Sequence, residues 1–182
     1  MNNPEHIVRT LDSKLTQPTR LILYGRAALA LGFPPTTKDF ASTQDVDSLL
    51  PEVELPAIES DAGFWLALEE ANSELEPSGL YMTHLFTDSQ VILTPDWLDY
   101  LVPIPLAGLQ HLRLFRPRAL DLILTKMMRV DPLDLADIGF LLRQDPLEAR
   151  SLKQAFASAR VPEIPEIREA FLHNQNAVLA LT

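Results

Sequence analysis

The 182-residue chain reads as an α+β protein: a mixed β-sheet flanked by helices over residues 1–117, then a helical region over 118–182 packed on that core. Three observations predict this. Short apolar runs bounded by Gly, Pro and Asp recur at Leu21–Tyr24, Thr43–Leu50, Leu80–Phe86, Val91–Leu93 and Gln110–Phe115, the pattern of strands. Segments with helical spacing of apolar residues lie among them. From Pro117 onward only helical patterns remain. At this length one domain, or one domain with a helical annex, is expected.

Each element has a local reason. Asn3 is placed to cap a first helix with Pro4 at its first position, and Ile7, Val8, Leu11 and Leu15 form its apolar stripe. Leu21–Tyr24 is a buried strand ending at Gly25. A helix over Arg26–Leu31 follows, stopped by Gly32-Phe33-Pro34-Pro35. Thr43–Leu50 is a second strand in which Val46 alternates with Asp45 and Asp47, with Pro51 and Pro56 at its exit. Ser60 opens a helix through Leu75, closed by Pro77-Ser78-Gly79. Leu80–Phe86 and Val91–Leu93 make a hairpin around Thr87-Asp88-Ser89, and Pro95–Tyr100 a helical turn. Gln110–Phe115 is a strand with Leu112 and Leu114 on one side. Ala119–Arg129 is helical, Asp131-Pro132 and Asp145-Pro146 each start a further helix, and Pro165–Leu181 ends the chain.

Composition narrows the chemistry. There is no cysteine, which excludes disulfides, thiolate metal sites and cysteine nucleophiles. No apolar stretch approaches the roughly 20 residues of a membrane span, and the amphipathic Met1–Leu15 is unlike a secretory leader, so a cytoplasmic location is expected. The net charge is −10, from 15 basic and 25 acidic residues. It is unevenly spread: Asp39–Leu112 holds fourteen acids and no Lys or Arg, whereas Arg113, Arg116, Arg118, Lys126 and Arg129 follow against only Asp121. That distribution argues against a grip on long nucleic acid, which needs many phosphate contacts from Lys and Arg. A small phosphorylated ligand at a local basic patch remains compatible with it.

Asp45-Val46-Asp47 is the sharpest chemical feature. On a strand, residues i and i+2 share a face at about 6.5 Å. Two carboxylates projected together repel unless a cation joins them, and oxygen-only ligands suit Mg2+ or Mn2+ completed by water and phosphate oxygens. The residues alone leave a second reading open, a surface strand or turn with two solvated aspartates. The context adds a glycine at the preceding strand-to-helix turn. There backbone amides and a helix N-terminus can meet a phosphate.

Leu21-Ile22-Leu23-Tyr24-Gly25-Arg26-Ala27-Ala28-Leu29-Ala30-Leu31 followed by Ser42-Thr43-Gln44-Asp45-Val46-Asp47-Ser48-Leu49-Leu50 resembles the opening of the minimal nucleotidyltransferase fold. Ala119–Lys126 and Asp134–Ile138 are similar to a helical signature of bacterial toxin–antitoxin and abortive-infection relatives. The resemblance spans roughly Leu21 to Leu142. It implies a nucleotidyltransferase-like sheet presenting Asp45 and Asp47 to Mg2+ (or Mn2+) and a nucleoside triphosphate, both residues serving as metal ligands and catalytic groups. It further implies substrate contacts from Gly25, Arg26, Thr43 and Lys126, and polar roles for Arg129, Asp134 and Asp137, the two aspartates one helical turn apart. The sequence departs from the family in having Arg26 after the turn glycine, in lacking a third carboxylate on Gln110–Phe115, and in its acidic middle section.

The expected function is therefore Mg-dependent transfer of a nucleotidyl group from a nucleoside triphosphate to an acceptor, in a toxin–antitoxin or defence setting. The alternative is a catalytically degenerate relative that binds a nucleotide or an antitoxin-like protein partner. His6, His84, His111 and His173 show no metal-ligand spacing, and Asp96-Trp97 and Asp99-Tyr100 read as a small satellite core. No P-loop, dinucleotide fingerprint or Ser–His–Asp order is present.

Overall fold

A computed structural model describes residues 2–33 and 38–182, the His84 side chain excepted. Pro34 and Pro35, read above as part of a helix stop, lie outside the described residues. The chain divides into two compact units, Met1–Thr87 with Val102–Arg116, and Asp88–Leu101 with Pro117–Thr182.

The first unit opens with α1 (Asn3–Lys14). Its cap is Asn2 rather than Asn3: the Asn2 Oδ1 accepts the Glu5 N–H at 2.8 Å, which places Pro4 in the first turn where its missing N–H costs nothing. β1 (Thr19–Tyr24), α2 (Gly25–Gly32), α3 (Lys38–Ala41) and β2 (Asp45–Leu50) follow, then α4 (Leu55–Glu59), α5 (Ala62–Leu75) and β3 (Tyr81–Thr87). Pro56, beyond the exit of β2, lies in the first turn of α4. Asp61, one residue beyond the expected start, caps α5 by accepting the Phe64 N–H at 2.9 Å. β4 (Val102–Pro103) and β5 (Leu112–Arg116) complete the unit.

The strands form one mixed sheet of order β3-β2-β1-β5-β4. β1 runs antiparallel to β2 and parallel to β5, β2 runs parallel to β3, and β4 is antiparallel to β5. The long crossover through α4 and α5 is what a parallel β2–β3 pair requires. Leu21, Ile22 and Leu23 are consecutive buried residues, so β1 is covered on both faces. Helix α1 packs on α5, α2 on β1 and β2, and α5 on β3.

α1 also anchors β5. The Asp12 carboxylate accepts the backbone N–H groups of Gln110, His111 and Leu112 at 2.9, 2.9 and 2.7 Å. Burial pushes its pKa up, but these three donors outweigh burial and hold it below the usual carboxylate range.

The second unit contains α6 (Ala119–Lys126), α7 (Pro132–Gln144), α8 (Ala149–Ser158) and α9 (Pro165–Leu179). Asp131 caps α7 as expected, accepting the Leu133 N–H at 2.8 Å. Asp145 does not start a helix: it ends α7, and Glu148 precedes α8. Residues 88–101 belong to this unit because Asp121, fully buried, accepts the Thr94 N–H at 2.8 Å, the Thr94 hydroxyl at 2.7 Å and Arg118 Nε at 2.9 Å. Val91–Leu93, expected as half of a hairpin, is no strand of the sheet. Leu93 makes a single antiparallel bridge with Arg160, and all three residues are buried. A short apolar run bounded by turns reads alike whether it pairs in a sheet or fills a core.

Candidate functional site

Residue alternation on β2 puts Val46 and Ser48 inside, so Asp45 and Asp47 project together from the opposite face, half-buried. The Ser48 hydroxyl donates to the Ile22 carbonyl at 3.1 Å, which secures β2 against β1 behind the pair. Two hydroxyls orient the carboxylates. Thr43 Oγ1 donates to Asp45 Oδ1 at 2.9 Å, and Thr83 Oγ1 to Asp47 Oδ1 at 2.5 Å. Thr83 also lies 3.0 Å from the Val46 carbonyl.

Thr83 reaches Asp47 because the β2–β3 register slips there. Val46 pairs with Met82 but Ser48 with Leu85, so β3 carries one extra residue opposite Asp47. Such a bulge re-aims side chains and is frequent beside active sites.

Gly25 closes the other side. It begins α2 with φ +63°, and a Cβ there would lie 3.2 Å from Asp47 Oδ2. Both the left-handed backbone and this tight approach favour glycine. The strand-to-helix turn therefore sets bare backbone and the positive end of an eight-residue helix against a carboxylate oxygen. Tyr24, paired in register with Asp47, stacks edge-on against Phe86 with ring centres 5.7 Å apart. Burial first, then the charges of Asp47 and Asp45, raise its pKa, so the phenol keeps its proton throughout the physiological range.

Gly25, Thr43, Asp45 and Asp47 thus come together. Arg26, next in the turn, has its guanidinium 5.9 Å from the centre of the Phe40 ring. The other expected residues belong to the second unit and make a cluster of their own. Lys126 Nζ donates to Asp134 Oδ1 at 2.9 Å and to Asp137 Oδ2 at 2.7 Å, all three side chains buried. Arg129 Nε donates to Asp134 Oδ2 at 2.5 Å from a largely exposed position. Burial pushes the Asp134 pKa up, but the bonds from Arg129 and Lys126 outweigh it and hold it below the usual range. Asn174 on α9 donates to the Arg129 carbonyl at 2.9 Å, fastening this loop.

Neither Tyr24 nor Thr83 was singled out from the sequence as a site residue. Tyr24 adjoins Gly25 and could have been found by that adjacency. Thr83 could not, because its contact depends on the bulge. The side chain of His84 lies outside the described residues. Among the described residues no cluster of three or more His, Asp or Glu side chains is arranged to hold a metal ion. Two strand carboxylates nevertheless fit magnesium, which is commonly bound by one or two protein carboxylates with phosphate and water oxygens completing its shell. The cradle in which a Cβ at Gly25 would crowd Asp47 supports that fit. No helix among the described residues is long and apolar enough to cross a membrane. No protein-family model, curated protein or solved structure matches the chain.

Proposed function

We propose that the chain is a nucleotidyltransferase whose Asp45 and Asp47 hold a magnesium ion together with the phosphates of a nucleoside triphosphate, in the toxin–antitoxin or defence setting its sequence resemblance suggests. The observation that carries this reading is the packing of Asp47 Oδ2 against the Gly25 backbone at the start of α2. It sets a carboxylate, a side-chain-free turn and a helix N-terminus within reach of one anionic ligand.

Each residue has a distinct task. Asp45 and Asp47 are the metal ligands, and the hydroxyls of Thr43 and Thr83 fix their planes. Gly25 lets the triphosphate approach the amides of α2, and Arg26 follows it in the same turn. Protonated Tyr24 walls the site without adding charge. Magnesium, when bound, offsets the negative charge that develops on the phosphates during transfer.

One observation favours a second reading, a relative that binds the nucleotide without turning it over. The residue that β3 turns toward Asp47 is Thr83, a hydroxyl rather than a third carboxylate. Thermal unfolding with ATP, CTP, GTP and UTP, each with and without magnesium, on wild type and Asp47→Asn, tests the shared part. At a hundred times its dissociation constant a ligand adds about 2.7 kcal/mol. A magnesium-dependent shift with one nucleotide, lost in the variant, is expected; no shift with any of the four would remove both readings. Release of pyrophosphate by the wild type then separates catalysis from binding.

A further inference from the structure

We infer that the groove between α5 and the outer edge of β3 receives a cationic, extended polypeptide segment, and that this segment presents the accepting hydroxyl. The first half stands on the groove alone; the second rests on the nucleotidyl-transfer reading.

Two overlapping cavities of about 540 and 610 Å3 lie along this edge and share Glu69, Asn72 and Tyr81. One end of the groove is lined by Thr83, the residue whose hydroxyl is bonded to Asp47, and Tyr81 is the register partner of Asp45. An occupant at that end therefore meets the side chain that is bonded to Asp47, one residue removed from the carboxylate. β3 is the outermost strand, and such edges invite an added strand. Here Asn72 intervenes: its Nδ2 donates to the Met82 carbonyl at 3.0 Å and its Oδ1 accepts the Met82 N–H at 2.7 Å. The backbone groups of Met82 are thus consumed, and recognition at this point falls to side chains.

Those side chains select a cation. Trp65 and Tyr81 are 39% and 47% exposed. Trp65 is held rigid by its indole N–H bond to the Ile58 carbonyl at 2.8 Å and by an edge contact with Phe64. Exposed Glu69 and Glu76 rim the groove, and the sequence from Asp39 to Leu112 contains no Lys or Arg. Fixed aromatic faces beside carboxylates attract ammonium and guanidinium groups and repel a phosphate backbone. The acceptor class is therefore a basic protein segment rather than RNA. In the transfer, its side-chain oxygen bonds to the α-phosphorus of the nucleotide and the bond to the departing pyrophosphate breaks. The hydroxyl proton leaves to water.

The test titrates the full chain with a short synthetic peptide of alternating lysine, serine and leucine, and in parallel with an oligouridylate of equal length. Saturable peptide binding with a change in Trp65 emission is expected, weakened about tenfold by Glu69→Lys with Glu76→Lys at unchanged melting temperature. No binding, binding indifferent to the charge reversals, or a preference for the oligouridylate would overturn the groove assignment. With nucleotide and magnesium added, the bound peptide is expected to gain a nucleotidyl mass. Peptide binding and nucleotide-dependent release of pyrophosphate without that mass gain would overturn the acceptor half, whereas a melting shift without pyrophosphate release would overturn the transfer reading. Absence of the melting shift itself would instead mark failure of the nucleotide site, leaving the groove result intact.

Discussion

The two units each hold a pair of aspartates, and the pairs are treated in opposite ways. Asp134 and Asp137 sit three residues apart on α7, buried, and accept hydrogen bonds from an ammonium group. Asp45 and Asp47 sit two apart on β2, half-buried, and accept from the hydroxyls of Thr43 and Thr83. A cation cancels a carboxylate's charge where it is buried; a hydroxyl orients the group and leaves the charge in place. The first arrangement is a structural fastener between α6 and α7. The second holds two strand carboxylates in fixed orientation on one face of the sheet, the arrangement on which the proposed magnesium site rests. Sequence spacing alone makes both pairs look like candidates, and the partner groups separate them.

The comparison breaks most sharply at Lys126. Lys126→Met keeps the side-chain stem but leaves two buried carboxylates without their ammonium partner, and the cost should be about 3–5 kcal/mol in urea unfolding. Adding Asp137→Asn should recover part of it. Asp45→Asn, which retains an oxygen for Thr43, should shift stability by no more than about 0.5 kcal/mol. If Lys126→Met proves as mild as Asp45→Asn, the cluster in the second unit is no fastener.

Acid should discriminate between donors to buried carboxylates. Asp12 and Asp134 both titrate below the usual range when folded, so each contributes stability that is present above the unfolded value and disappears as pH falls through the folded one. The unfolding free energy should therefore decline below about pH 4. Asp12→Asn removes one contributor and also turns an amide against three backbone donors, costing about 1–3 kcal/mol at neutral pH. A pH profile with the same acid limb in this variant would show that Asp12 is not linked to folding.

Gly25 sharpens the comparison from the side of the first unit. Gly25→Ala forces a side chain into the left-handed region, at about 1–2 kcal/mol, and crowds Asp47 Oδ2. Thermal unfolding should register that loss. If nucleotide binds here, the magnesium-dependent melting shift should fall with it, whereas the Lys126→Met background should retain the shift once corrected for its lower stability.

Much of this was legible in the sequence because local signals agreed with tertiary ones. The run Leu21–Tyr24, Gly25 and the alanine-rich helix after it appear in the structure as β1, a positive-φ glycine and α2. Alternation on Asp45–Leu50 gave the shared face of the carboxylates. What escaped depended on partners distant in sequence. The placement of Val91–Leu93 is decided by Asp121 and Arg160, far along the chain, and the contact of Thr83 with Asp47 by a bulge that composition does not encode. The family resemblance implies a substrate contact for Lys126. Its partners Asp134 and Asp137 lie on the next helix, at a spacing visible in the sequence only once α6 and α7 are known to be packed together.

A small effect is expected at Arg129, which bonds the same Asp134 as Lys126 but from the surface, its side chain 70% exposed. Water and salt screen such a bond, and holding a long side chain in place offsets part of its gain. Arg129→Ala should therefore cost less than about 1 kcal/mol, and the loss should shrink further as salt is raised, whereas the Lys126→Met loss should be nearly independent of salt. Measuring both variants at low and high ionic strength places the boundary of the buried cluster. A large, salt-insensitive loss for Arg129→Ala would extend that cluster to Arg129 and make it part of the fastener; a small, screened one confines the fastener to Lys126, Asp134 and Asp137.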